Sequence, residues 1–310
     1  MNQALHMASL EKSALAPKSL PVISVVTPSF HQADYLESAI VSVLNQGYPR
    51  LDYAVIDGGS TDGSADIIQK YEPQLAVAIS TRDRGHAHAL NKGFSRSKGE
   101  VLPWVNSDDQ LAPSSLWIVA ELFTLFPEVE WLTGLPTVWD LVGRPVQTAV
   151  RRRNRFDHLR GRFGIQQESC FWRRSLWEKA GGYIDEDCGM MIDSELWSRF
   201  FQHADLWHVD TVLAGYRWHG QNRAVLNPAE ALSETSRAFQ HLRTLCSRAE
   251  EKLLKNISVY EQQCNSRSVW RRIIARVKAR ELQKQLQDYA YRVIRWERGS
   301  WRLLKEPYKL

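Results

Sequence analysis

The chain has 310 residues, 44% hydrophobic and 24% charged, a composition that fits a globular protein with a sizeable core. No window approaches the roughly 18 apolar residues of a transmembrane helix. Cys170, Cys188, Cys246 and Cys264 show neither CxxC nor metal-ligand spacing, so free thiols in a reducing compartment are expected. The net charge of +5 is uneven, because residues 221–310 hold about 19 Lys/Arg against about 9 Asp/Glu and the remainder is mildly acidic.

The opening stretch, MNQALHMASLEKSALAPKSL, lacks the apolar segment of a secretory signal, and residues 1–20 are expected to form a flexible tail. From Val22 to about Leu132 apolar runs alternate with helical patterns: strand VISVVTP, helix DYLESAIVSVLNQ, strand LDYAVIDGG, helix SADIIQKYE, strand LAVAIS, helix AHALNKGFSRS, strand EVLPWVNSDD, helix PSSLWIVAELFTLF, strand VEWLTG. This rhythm predicts an α/β fold, a mostly parallel twisted sheet with helices on both faces. Ligands of such sheets bind beyond the carboxyl ends of the strands. Pro136 to about Trp218 is less regular, with a basic patch at Arg151, Arg152, Arg153 and Arg155, a helix starting near Asp193, and a strand LWHVDTVLAGYRW. From about Asn227 onward the pattern is helical with no strand signal. Trp270, Ile273, Ile274, Val277, Leu282, Leu286, Tyr289 and Val293 are read as one helical series among basic residues.

Two strand tips carry chemistry. IDGGSTDG is neither GxGxxG nor a P-loop; it places Asp57 at a strand end, with glycines that permit close backbone approach. Asp57 reads either as a ligand contact to a base or ribose, or as part of a turn in which Asp62 or Ser64 caps the next helix. Asp108 and Asp109 follow the apolar VLPWV after only Asn106 and Ser107. Adjacent carboxylates at a buried sheet edge are costly unless a cation sits there, and oxygen ligands suit Mg²⁺ or Mn²⁺. One Asp capping the helix near Ser114, or both simply solvated, is the alternative.

TPSFHQADYLESAIVSVLNQGYP, VIDGGSTDGSADIIQKYE and DRGHAHALNKGFSRSKGEVLPWVNSDD together resemble the family-2 glycosyltransferases of bacterial polysaccharide and lipopolysaccharide assembly, over about Ile23 to His219. The resemblance implies a GT-A fold and inverting transfer of a sugar from a nucleotide-sugar donor with a divalent metal. It implies that Thr27 and Pro28 line the nucleoside pocket, that Asp57 contacts the base, and that Arg84 and the helix bearing Asn91 flank base and diphosphate. NSDD stands in place of the family's DxD motif. Asn106 replaces the first Asp, Asp108 is left as metal ligand, and Asp109 either shares that role or holds the ribose. MMIDSELWSRF resembles the family's acceptor-side segment. It makes Asp193 the general base, also readable as a helix N-cap, and Glu195 a weaker candidate for the same work. YRWH resembles a late R-x-H element, giving His219 to the metal or diphosphate. Trp172 is read as an acceptor wall, and Glu168, where relatives often carry Pro, as a residue that tunes acceptor choice.

The implied organisation is a tail at 1–20, a GT-A catalytic domain at 21–224 (nucleotide-sugar half 21–135, acceptor half 136–224), and a basic helical C-terminal region at 225–310. A UDP-sugar donor and a growing or lipid-linked glycan acceptor follow from the resemblance. A cytoplasmic location is expected, with the inner face of the membrane as its peripheral site under one reading of the basic tail. The basic C-terminal helices are read as meeting a membrane surface, making a homodimer, or packing on the domain with a solvated face; no nucleic-acid motif is present. A catalytically silent nucleotide-binding module and a nucleotidyltransferase are the competing functions. The second would need a Gly-rich basic loop that TPSFHQ does not provide.

Overall fold

The computed structural model describes residues 20–162, 164–265 and 268–308. The tail expected at 1–20 therefore lies, apart from Leu20, outside the described residues.

β1 (Ile23–Ser29) is buried along its whole length, as an inner parallel strand must be. α1 (Ala33–Leu44) buries Leu36, Ala39, Ile40 and Val43, the stripe that a 3.6-residue period produces. β2 (Leu51–Asp57), α2 (Ser64–Tyr71), β3 (Val77–Ser80) and α3 (His86–Phe94) continue the alternation. The expected fourth strand is cut to β4 (Val101–Leu102). Pro103 has no N–H to give a ladder, so beyond it only the bridge from Trp104 to Val26 persists before the chain turns. Next come β5 (Gln110–Leu111), α4 (Ser115–Leu125), β6 (Trp131–Thr133), β7 (Thr137–Trp139), β8 (Pro145–Thr148), α5 (Arg155–Leu159), β9 (Cys170–Arg173), α6 (Arg174–Lys179) and α7 (Ile192–Phe200). The expected strand LWHVDTVLAGYRW is two strands in different sheets, β10 (Leu206–Val209) and β11 (Ala214–Arg217). α8 (Arg223–Leu226), α9 (Pro228–Thr244), α10 (Arg248–Cys264), α11 (Val269–Gln285), β12 (Tyr291–Glu297) and β13 (Ser300–Glu306) complete the chain.

Among the described residues nine strands form one sheet in the order β13-β12-β10-β6-β9-β4-β1-β2-β3. It is parallel through β4, β1, β2 and β3 and again through β6, β10 and β12, whereas β9 runs antiparallel to both β4 and β6. β5, β11, β7 and β8 form a smaller sheet that brings β11 beside the exit of β4. The period-2 alternation of strand side chains fills a core on each face. Val25, Val55, Leu132 and Phe171 pack with α1 and α4, while Val26, Ile56, Trp131 and Trp172 pack with α3 and α7. Gly93 lets α3 lie flat on β1: a Cβ there would come within 2.4 Å of Val26.

Trp172 stands at the centre of the second core. It is fully buried, 5.5 Å from Trp104, 5.8 Å from Trp197 and 5.6 Å from Phe200 between ring centroids. The expectation that it walls an acceptor site is corrected, since its register in β9 points it into this aromatic layer. Two arginines of the basic patch are tied into the molecule by ion pairs, while Arg151 is exposed. Arg152 pairs with Asp210 and Glu306, and Arg155 with Glu250 at 3.2 Å.

The helical C-terminal region is present as α9, α10 and α11, but the expectation of no strand beyond Asn227 is overturned. β12 and β13 form a hairpin that joins the large sheet, with β12 parallel to β10. The turn Arg298-Gly299 has positive φ at both residues (50° and 86°), the left-handed pair that a two-residue hairpin needs. Val293, read as helical, is a core residue of β12. No helix among the described residues is long and apolar enough to cross a membrane.

Trp172→Ala should therefore cost stability, about 3–5 kcal/mol in a urea titration. A wall residue of an open site would leave the unfolding midpoint near the wild-type value.

Candidate functional site

The tips of β1 and β2 are built from their own loop. Asp57 is fully buried. Its Oδ2 accepts the N–H groups of Gly59 (3.0 Å) and Ser60 (2.9 Å) and the Ser80 hydroxyl (2.7 Å), and its Oδ1 accepts the Ser60 hydroxyl (2.5 Å). The carboxylate is thus engaged in shaping the DGGS turn, while the following helix has Gly63 as its N-cap, so neither Asp62 nor Ser64 is its N-cap as expected. Gly59 is required in the DGGS turn: its φ is 84°, and a Cβ would lie 2.9 Å from the Arg82 nitrogen. Asp62 holds the neighbouring helices, accepting N–H groups from Ala33 (3.0 Å) and Ser64 (3.1 Å). Thr27 is also fully buried, its hydroxyl 2.9 Å from the Tyr53 hydroxyl, and Pro28 is buried beside it. Neither lines an open pocket. Instead β1 presents Phe30, 60% exposed, at the rim beside Gly58 and next to His31, whose N–H donates to Ser60 Oγ. Sequence reasoning missed Phe30, although an aromatic just after a polar strand tip was its signal.

The two acids of NSDD diverge. Asp109 is 1% exposed and turned inward; its Oδ1 accepts the Arg217 backbone N–H (2.9 Å) and its Oδ2 the Asn106 amide (3.1 Å). Burial pushes its carboxyl well above the usual range, and the charges of Glu168 and Asp108 add to the effect. Asp109 as a shared metal ligand is thus corrected to a buried brace, and neither acid caps the helix α4. Asp108 faces outward, one-fifth exposed, with its Oδ2 3.1 Å from His219 Nε2. His219 is placed just past β11 by Asn222, which accepts its backbone N–H (3.2 Å), and by stacking on Tyr35 at 4.8 Å. Arg217 straps the turn down, donating through Nε to the Asp108 carbonyl (2.7 Å) and through its Nη groups to Leu141 and Ser38.

Asp108 and His219 offer a carboxylate oxygen and an imidazole nitrogen side by side. No group of three or more His, Cys, Asp or Glu that could hold a metal ion exists among the described residues. The pair fits an ion that takes its remaining ligands from phosphate oxygens and water, as Mg²⁺ and Mn²⁺ do.

Asn106 is a junction. Its Oδ1 meets His86 Nε2 at 3.1 Å, and its Nδ2 reaches Asp109 and Gln167. Burial, with the charge of Arg223 adding, lowers His86 to about 4, so it is neutral at physiological pH. Asn91 is a clamp, exchanging hydrogen bonds with the Ile184 backbone at 2.8 and 2.9 Å. Arg84, two-thirds exposed, forks onto Glu186 at 2.7 Å. Both residues anchor the 184–186 loop.

Glu168 lies in the tight turn Gln167–Ser169 before β9, and Asp193 in the first turn of α7. The N-cap of that helix is Met191, so the reading of Asp193 as N-cap is corrected; its Oδ1 accepts the Ser194 N–H at 2.7 Å. Glu195 is a brace, bound by Arg199 at 2.7 Å while Arg199 also reaches the Tyr183 carbonyl. Burial raises Asp193 to about 6. Burial also raises Glu168 to about 8, and the charges of Asp108 and Asp193 push the same way. Glu168 Oε1 has no hydrogen-bond partner among the described residues. The charges of Glu168 and Asp108 thus act on Asp109, and those of Asp108 and Asp193 act on Glu168.

The sequence profile described as Glycosyl transferase family 2 matches residues 24–132. An uncharacterized glycosyltransferase of Mycobacterium tuberculosis is 32% identical over 189 residues, 57% of this chain and 68% of that protein. The putative teichuronic acid biosynthesis glycosyltransferase TuaG of Bacillus subtilis is 38% identical over 93 residues, which is 29% of this chain and only 37% of TuaG. Among solved structures, S. aureus TarS 1-349 in complex with UDP-GlcNAc superposes with a TM-score of 0.59 at 16% identity, covering 86% of this chain and 80% of that one. Mannosyltransferase PcManGT from Pyrobaculum calidifontis, in complex with GDP-Man and Mn²⁺, has a TM-score of 0.50 at 17% identity, covering 86% of each chain. These neighbours share the fold, which is the GT-A arrangement expected.

Glu168 yields a test of the site's electrostatics. Its folded pKa of about 8 lies above the ordinary 4.5, so the folded chain keeps a proton that the unfolded chain releases. Its contribution to stability therefore falls as pH rises through that window. Glu168→Gln should melt like wild type below the lower value, gain progressively across the window, and level off above it in thermal scans.

Proposed function

The chain belongs to glycosyl transferase family 2, and on that premise we propose that it moves a sugar from a nucleotide-diphosphate sugar to an acceptor hydroxyl with inversion. The observation that carries this reading is Asp193, a carboxylate raised to about 6 by burial, whose charge acts on Glu168. It is ionised at neutral pH yet basic enough to take a proton as a hydroxyl attacks. Its Oδ1 accepts the Ser194 N–H at 2.7 Å, which holds the carboxylate in place.

The donor lies on the 21–135 half, its base against the exposed Phe30 and its diphosphate toward Asp108 and His219. A divalent cation, Mn²⁺ or Mg²⁺, held by those two residues would neutralise charge developing on the leaving diphosphate. UDP-sugars are the first donors to test, in keeping with the UDP-GlcNAc of TarS. The GDP-Man of PcManGT makes GDP-sugars the second. The acceptor enters over the 136–224 half, which carries Asp193 and Glu168. A growing or lipid-linked glycan suits this reading and agrees with the polysaccharide named for TuaG. Attack from the face opposite the diphosphate inverts the anomeric centre.

Screening nucleotide sugars for metal-dependent release of nucleoside diphosphate tests the proposal. With the active donor, kcat/KM should fall on acidification with an inflection near 6, the value for Asp193. Asp193→Asn should lose about 10²–10⁴-fold in kcat while binding donor as before. Wild-type turnover in Asp193→Asn would remove this residue from the mechanism.

A further inference from the structure

Helix α11 is apolar on two opposite sides. Ala275, Leu282 and Leu286 recur on one face and are buried against the molecule. About half a turn away, Trp270, Ile273, Ile274 and Val277 form a second stripe, joined at its start by Val269. That stripe faces solvent: Trp270 is 76% exposed, Val277 71% and Val269 59%. The sequence pattern treats Trp270 through Val293 as one face, whereas the structure buries only its later members.

The charges around this stripe are of one sign. Val269–Gln285 carries six Lys/Arg against the single acid Glu281. Arg271, Lys278, Arg280 and Lys284 are exposed and, among the described residues, stand in no ion pair. Two arginines of β12 are paired, Arg292 with Asp205 and Arg295 with Asp210. A second copy of the helix would set like charges against like. The residues before Leu20 bring Lys12 and Lys18 against Glu11, so they offer no complementary charge either. The stripe spans about 12 Å, far short of a bilayer, and its indole at one end is the side chain that favours a lipid–water boundary.

We propose that the Val269–Val277 face of α11 rests in the plane of an anionic lipid surface, with Trp270, Ile273 and Val277 entering the headgroup boundary and Arg271 and Lys278 meeting phosphates. This stands on α11 alone and does not depend on the sugar-transfer reading.

Flotation of the full chain with phosphatidylcholine vesicles, with and without about a third phosphatidylglycerol, tests it. Binding to the anionic vesicles should be at least about tenfold tighter and should weaken as salt rises. Ile273→Asp/Val277→Asp should lose about tenfold or more on those vesicles. Arg271→Glu/Lys278→Glu should lose a similar factor and much of the salt dependence. Both variants should keep the wild-type melting temperature, the wild-type mass by light scattering and the soluble nucleotide-sugar turnover. Equal binding to both vesicle types, binding untouched by Ile273→Asp/Val277→Asp, or a dimer that this variant converts to monomer would each overturn the proposal. The last result would assign the face to a second copy.

Discussion

The site depends on one buried hydrogen bond, from the Arg217 backbone N–H to Asp109 Oδ1. Two adjacent carboxylates at the rim of a buried sheet repel each other and resist desolvation. The fold separates them by sending one inward. Asp109 gives up solvent and is held by two N–H donors, and this fixes the turn so that Asp108 faces His219. The same strap supplies both sides of the arrangement, because His219 follows Arg217 by two residues and Arg217 Nε holds the Asp108 carbonyl. Geometry at the rim is therefore a consequence of pairing between β11 and β5 in the small sheet.

Residues of similar chemistry divide into braces and reactive groups by what surrounds them. Asp57, Asp109 and Glu195 each have a carboxylate committed to N–H or guanidinium donors. Glu168, buried, and Asp193, half-buried, have fewer donors, and desolvation is what lifts their pKa values toward neutrality. Such a cluster stores electrostatic stress, which a bound cation and a hydroxyl-bearing substrate would relieve.

The order of strands and helices through β6, the short β5 apart, was legible because each element is a local pattern: an apolar run, a 3.6-residue stripe, a Gly-rich or acidic tip. What escaped was set by contacts distant in sequence or by backbone angles. The Arg217–Asp109 bond joins residues 108 apart, and nothing near NSDD announces it. Trp172 read as a site aromatic because composition does not reveal register, which only β4 and β6 impose. The β12–β13 hairpin was hidden by basic residues that looked helical. Its signal was Arg-Gly at positive φ between alternating apolar residues. Asp108, Asp193, Glu168 and His219 were named from sequence as candidates; the structure sets Asp108 3.1 Å from His219, and the charges of Asp108 and Asp193 act on Glu168.

The most direct measurement is calorimetry of UDP binding to Asp108→Asn, with and without Mn²⁺. The account predicts a variant that melts no lower than wild type yet loses the manganese-dependent part of nucleotide affinity. Manganese-dependent binding at wild-type strength in that variant would contradict it.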